Sequence, residues 1–243
     1  RSRRIAMTDR DRVLATFRRE PLDRIVFQPR IRYWYTGRNQ DGTMPEAYRG
    51  LTMLEVYDAL GVSPRYSPEV LGLSPFGTRI DETVRTRHFD EGRNIVIHHE
   101  TPIGTLREAR HKTEQGSAGY PTEYPVKTPA DMEVMGCILD HTEFYYDREA
   151  HHEAERLFGD RGIVQSYYPR SPYQRLIITY MGWENTFFAL ADHPAETERF
   201  MEAIARWDDS MYEVIIGIEL PILNFGENID AHIDPPNMYK KYL

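Results

Sequence analysis

Apolar and polar positions along this chain mostly read as helices alternating with apolar strands. TDRDRVLATFRRE reads as a helix, with Thr8 or Asp9 as its cap and Val13, Leu14 and Phe17 on one stripe. RIVFQPRI follows as a buried strand, with Ile25, Val26 and Phe27 first and Arg30 and Arg32 at its C-terminal end. Thr52 to Leu60 is helical, and SPRYSPEVLGLS is a short proline-bounded segment. From Thr78 to Lys112 the pattern changes to strict alternation, with turns at DEGR and TPIG, which predicts an antiparallel hairpin or meander with one wet face. A helix starts at Thr128-Pro129, and HEAERLFGDRG is a second one ending near Gly159. GIVQSYY is a strand, and PRSPYQRLIITYMGWEN is a loop leading into a helix. A long amphipathic helix carries Phe200, Ile204 and Trp207 on one face. LPILNFGEN is a final strand, and DPPNMYKKYL is a proline-started helix.

Outside the alternating insert, this order favours a parallel sheet with covering helices. The expected fold is a TIM (β/α)8 barrel in one domain over 1–243, with an antiparallel β-hairpin insert at about 78–112. Such a barrel takes about 250 residues, more with an insert. A chain of 243 residues that stops as a helix begins is therefore expected to lack C-terminal strand–helix units of a longer protein.

Composition narrows the function. Apolar residues make up 40%, enough for a core. A net charge of -8 argues against nucleic acid as a partner. The single cysteine, Cys137, allows no internal disulfide and favours a cytoplasmic, reducing setting. On its predicted helix, Cys137 is expected to be buried and inert. No run approaches the roughly 20 apolar residues of a membrane span. RSRRIA before Met7 reads equally as a tag or a natural extension, and it lacks a signal peptide's apolar centre.

Four segments, in order, resemble the uroporphyrinogen decarboxylase superfamily, which includes the decarboxylase itself and corrinoid-dependent methyltransferases. DRDRVLATFRREPLDRIVF is similar to its opening R-E-R-V-L…P-D-R motif, and ETPIGTL to its T-P-x-G-x-L turn. MGWENTFFALADHPAETERFMEAI resembles its M-G-[FW]-E…D-x-P-E helix pair, and NFGENIDAHIDPPNMYKKYL its G-[DE]-[DN]…K-[YF] segment. The resemblance implies a barrel with its site at the C-terminal strand ends. LIITYM looks like the helix whose tyrosine faces the decarboxylase substrate, which points to Tyr180. The decarboxylase's arginine motif after the first strand is matched only loosely by PRIRYWYTGR, and its second-strand aspartate has no counterpart beyond nearby Glu69. That departure weakens porphyrinogen decarboxylation. The superfamily's zinc-binding H-x-C is absent, so zinc would need ligands beyond Leu243.

Candidate site residues follow from strand ends. Arg30 and Arg32 can grip a carboxylate, or simply sit in surface salt bridges. Tyr168 and Arg170, with Tyr167, end the strand GIVQSYY; ordinary packing competes as a reading for each tyrosine. Glu227, Asn228 and His232 follow an apolar strand, where they suit proton transfer, polar contacts or a metal. Helix capping competes there through Asp234. His98-His99 and His151-His152 cannot chelate as adjacent pairs and are expected on the surface.

The expected function is methyl transfer, a demethylation, between a small methylated substrate and a corrinoid carried by a partner protein. Glu227, His232 and Tyr180 are the catalytic candidates. Arg30, Arg32, Tyr168, Arg170 and Asn228 are the substrate-binding ones. The alternatives are decarboxylation of a carboxylated substrate and a non-catalytic binding protein. A homodimer fits the expectation; a membrane partner does not.

Overall fold

The computed structural model describes residues 6–112 and 119–243; most of the RSRRIA leader lies outside the described residues. Helices run over Asp9–Phe17, Arg32–Gln40, Met53–Leu60, Ser67–Val70, Pro129–Asp140, Arg148–Phe158, Pro172–Arg175, Trp183–Asp192, Pro194–Ile216 and Pro236–Tyr242. Local chemistry explains several starts. Thr8, Thr52 and Thr128 each accept a hydrogen bond from the backbone N–H three residues on, and Asp11, Glu55 and Asp131 return the bond. Two otherwise orphaned N–H groups are satisfied at each of these helix starts. Pro129 adds a pre-set φ at the first helical position. Gly61 closes Met53–Leu60 in the left-handed region, where a Cβ would be strained.

The chain divides into two compact units. The first comprises the chain up to Gly77 together with Tyr146–Tyr167 and Glu219–Asn224. Its apolar centre joins Val13, Ile163 and Ile222, and a second cluster joins Ala154, Phe158 and Val164. Arg12, nearly buried, reaches Asp9 at 2.6 Å and Asp23 at 2.7 Å. Its guanidinium holds the Asp23 carboxyl well below the usual carboxylate range. The opening DRDRV…PLDR motif is thus tied together by an ion pair.

The second unit comprises Thr78–Tyr145, Tyr168–Ile218 and Phe225–Leu243. Its main sheet is antiparallel, with Arg85–Glu91, Asn94–Thr101, Gly104–His111 and Pro121–Glu123 side by side in that order. Thr101 pairs with Gly104 across the turn. A Cβ on Gly104 would lie 2.8 Å from a methyl of Val134, so this turn needs glycine to approach the helix Pro129–Asp140. Leu106 on the sheet joins Met135 and Ile138 of that helix and Phe200 and Ile204 of Pro194–Ile216 in one core.

The barrel expectation is corrected. Among the described residues the longest sheet has four strands, all antiparallel neighbours, and no eight-stranded closed sheet is present. The other strand pairs are Phe76–Ile80 with Thr142–Tyr146, and Tyr167–Tyr168 with Asn224–Phe225. The runs read as barrel strands account for the difference. Ile25–Phe27 forms no strand, with Ile25 89% and Phe27 66% exposed. GIVQSYY and LPILNFGEN each contribute a two-residue strand. A short apolar run satisfies the burial signature of a strand without specifying a neighbour for its backbone N–H and C=O groups. Among the described residues no helix is long and apolar enough to cross a membrane.

Candidate functional site

Arg30 and Arg32 come together in the first unit. Arg30 donates from Nε to Glu69 at 2.9 Å, and its Nη2 also contacts that carboxylate; Arg32 lies 4.0 Å from it. The Arg30 guanidinium sits 5.5 Å from the centroids of both Tyr66 and Tyr167, which stack on each other at 4.3 Å. The Glu69 hydrogen bond pushes the Arg30 pKa further up. The guanidinium and two aromatic rings thus lie together, with a protein carboxylate already in the grip of the guanidinium.

The loop after Phe225 belongs to the second unit. Glu227 accepts from the Ser171 N–H at 2.6 Å and from the Ser171 hydroxyl at 3.2 Å. Ser171 in turn caps the helix Pro172–Arg175. Asp234 is buried and accepts from the Gln174 amide at 2.8 Å. The capping reading given to Asp234 is corrected: the helix Pro236–Tyr242 has no side-chain cap, and Asp234 instead joins Glu227 in anchoring this loop to the short helix Pro172–Arg175. Asn228 is exposed. His232 has a side chain 95% exposed and pairs with its neighbour Asp230 at 3.0 Å.

Tyr168 is buried between Tyr212, stacked at 5.0 Å, and Phe225 at 4.8 Å. Burial pushes its hydroxyl pKa upward. Arg170 is half-buried, with no hydrogen-bond partner at Nε. Arg175 and Asp208, neither of them candidates from the sequence, form a buried ion pair. Burial raises the Asp208 pKa although Arg175 pulls it down.

Tyr180 lies at a backbone feature invisible in the sequence. Leu176–Tyr180 winds as a π-helix, closed by Met181 N–H to Leu176 C=O at 2.8 Å. Such turns recur at functional sites because they re-aim one side chain. Tyr180 lines a pocket of about 230 Å³ within the second unit. Met135, Ile138 and Leu139 supply apolar wall, and Trp207 closes a side, held by its Nε1–H donating to the Thr142 carbonyl at 2.7 Å. Burial raises the Tyr180 hydroxyl pKa, and the nearby Arg175 charge offsets part of the rise. Tyr168, Arg170, Glu227, Asn228 and His232 do not line this pocket.

The opposite wall comes from the antiparallel sheet. His99 Nε2 lies 3.5 Å from Glu108 Oε1, and His99 Nδ1 lies 3.2 Å from the Thr86 hydroxyl. Arg110 reaches the other Glu108 oxygen at 3.3 Å. An ionised Glu108 places the imidazole proton on Nε2, and Nδ1 then accepts from Thr86. Burial pushes the Glu108 pKa up, yet His99 and Arg110 outweigh it and the net shift is downward. Glu108 therefore adds stability above its unfolded pKa, and this is lost as the pH falls through the lower folded value. His99→Ala is expected to move the Glu108 pKa upward in a carboxyl-carbon NMR titration. An unmoved value would show that the imidazole contributes nothing to the carboxylate.

The surface expectation for the histidine pairs is corrected in part. His99 faces this pocket, and His151 is buried, its Nδ1 2.7 Å from the Tyr146 hydroxyl. Cys137 is half-buried rather than buried. Among the described residues no three His, Cys, Asp or Glu side chains converge to hold a metal ion. Of the residues that line the pocket, only Tyr180 was a candidate. The turn at TPIG could have found His99 and Glu108, since pairing Thr101 with Gly104 puts His99 on the second rung beyond it and Glu108 on the fourth, on one face as diagonal neighbours. No family model matches the chain, and neither a curated protein nor a solved structure matches it.

Proposed function

We propose that this chain transfers a methyl group between a small methylated substrate and a corrinoid on a partner protein, in the cytoplasm. The reading rests on the four ordered segments that resemble the uroporphyrinogen decarboxylase superfamily. One structural observation supports it: Tyr180, the residue that the resemblance aims at substrate, lies on the wall of a pocket sized for a small molecule. The corrinoid would supply the nucleophile that takes the methyl group. When the bond from that methyl to oxygen, nitrogen or sulfur breaks, its electron pair stays on the heteroatom. A proton held close by then neutralises the charge.

Tyr180 is suited to that task. The phenol carries its proton at neutral pH, and the nearby Arg175 charge favours the phenolate left when the proton moves, against the effect of burial. Glu227 and His232 fit it less well: the first is engaged with Ser171, and the second is in water. Tyr180→Phe is expected to lower methyl transfer by about 10²-fold, the usual contribution of a general acid. The test incubates the protein with a reduced corrinoid protein and a panel of methylated aromatics, amines and thiols, reading the corrinoid spectrum and the demethylated product. Absence of transfer across the whole panel would overturn the proposal.

A decarboxylase reading has one observation in its favour, the approach of Arg30 and Arg32 to a single carboxylate, Glu69. Glu69→Gln would free that grip. Under this reading the variant binds carboxylated substrates more tightly; under methyl transfer, substrate affinity is unchanged.

A further inference from the structure

We infer that the strand Arg85–Glu91 is a dimer edge: it pairs antiparallel with the same strand of a second copy, centred on His88, and joins the two four-stranded sheets into one. The inference is independent of the methyl-transfer reading. Arg85–Glu91 is the outermost strand of its sheet, with Asn94–Thr101 as its single neighbour among the described residues. Each of its residues is exposed. Such an edge presents a row of unpaired N–H and C=O groups that another chain can take up. Two usual devices against this are missing. The strand contains no proline, and its register with Asn94–Thr101 runs unbroken, without a bulge.

The phase of the backbone fits this partner. Gly92 and Arg93 form a two-residue turn that closes on the pair Glu91–Asn94. The pair flanking such a turn is hydrogen-bonded, and bonded and non-bonded pairs then alternate along the two strands. Glu91, Phe89, Arg87 and Arg85 therefore spend their backbone groups on Asn94–Thr101. Asp90, His88 and Thr86 turn theirs outward. A copy related by a twofold axis at His88 meets those groups with the same three residues: Thr86 opposite the copy's Asp90, His88 opposite its own equivalent, and Asp90 opposite the copy's Thr86. Every residue of the strand finds a partner in this register. The contact is isologous, as a closed dimer needs.

Charge selects a second copy over other strands. Charged residues on an edge ordinarily keep strands away. Here they are sorted: Arg85 and Arg87 lie in the first half, and Asp90 and Glu91 close the last. Antiparallel self-pairing sets Arg85 against the copy's Glu91 at both ends, and opposite charges directly across a ladder stabilise it. Parallel self-pairing would set like charges together, which destabilises. Arg85 has no ion pair or side-chain hydrogen bond among the described residues of its own chain. Glu91 meets Arg107 at 3.2 Å through Oε2, which leaves Oε1 for a second cation, and its side chain is 57% exposed. On the same face, Arg87 lies opposite the copy's Phe89, whose exposed ring can take a guanidinium.

Sedimentation equilibrium of the whole chain, from micromolar to millimolar concentration, tests the inference. Wild-type protein should show a reversible monomer–dimer equilibrium. Arg85→Glu and Glu91→Arg should each weaken the dimer at least about tenfold, because the twofold axis turns both attractive end pairs into repulsive ones. Mixed in equal amounts, the two variants should regain the wild-type association, since their heterodimer again sets opposite charges together at both ends. Circular dichroism checks that each variant folds. A second readout needs no variant: in wild-type protein the amide protons of Thr86, His88 and Asp90 should exchange with solvent more slowly as the concentration rises. A monomer at every concentration overturns the inference. So does a dimer indifferent to both charge reversals, a mixture of folded variants that does not recover, or exchange at those three amides that is unchanged by dimerisation.

Discussion

Asp208→Ala is expected to destabilise the second unit by about 3–5 kcal/mol, the cost of leaving one member of a buried ion pair alone. The side chains of Arg175 and Asp208 are 6% and 8% exposed. Arg175 has few other supports. Its Nε is buried without a hydrogen-bond partner, and Trp207 offers only a ring face at 5.6 Å. Removing the carboxylate strands a guanidinium that cannot shed its proton. Denaturant unfolding followed by circular dichroism measures the loss. The double variant Arg175→Met with Asp208→Leu should lose much less, because it leaves no unpaired charge. A single variant within about 1 kcal/mol of wild type would mean that water reaches the pair, since exposed pairs are worth no more than that. The same substitution should also disturb the neighbouring pocket, since the Arg175 guanidinium lies 5.6 Å from the ring of Trp207, which lines it.

The second large effect is at Gly182, where Gly182→Ala should cost about 3 kcal/mol. Gly182 has φ 78° and ψ 162°, a region open essentially to glycine alone, and forcing a side chain there costs about 1–3 kcal/mol. A Cβ would also stand 2.6 Å from a ring carbon of Tyr124. Overpacking of this kind adds roughly 1–3 kcal/mol unless the neighbour yields. Tyr124→Ala in the same chain should recover the overlap part and leave the backbone part. Thermal unfolding of the single and double variants separates the two. Full recovery would show that the backbone conformation carries no strain. The site matters because Gly182 follows the π-helical turn directly and lets the chain turn into Trp183–Asp192.

Much of the local structure was legible in order and spacing. Thr8, Thr52 and Thr128 each stand three residues before Asp11, Glu55 or Asp131, and the helices start there. The alternation from Thr78 to Lys112 became antiparallel strands turning about Pro102-Ile103. The amphipathic run from His193 onward became one long helix with Phe200 and Ile204 inward. These features depend on neighbours within a few residues, so a linear pattern contains the whole cause. The candidate site was far less legible. From sequence, Arg30 and Arg32 suit either a substrate carboxylate or a salt bridge, and the structure places both at Glu69. Glu227 was read as an acid and anchors Ser171.

Sequence alone settled where the helices capped at Thr8, Thr52 and Thr128 begin, which stretch alternates, and that no apolar run is long enough for a membrane-spanning helix. Tertiary structure decided the rest. It left Ile25–Phe27 outside any sheet, bonded Arg175 to Asp208, set His99 beside Glu108, and turned Tyr180 toward Met135 and Trp207. The physical reason is range. A cap or a turn closes over three or four residues, whereas a strand needs a partner edge and a buried charge needs a counter-charge. Either partner can come from any distance along the chain, and only the packed molecule selects it.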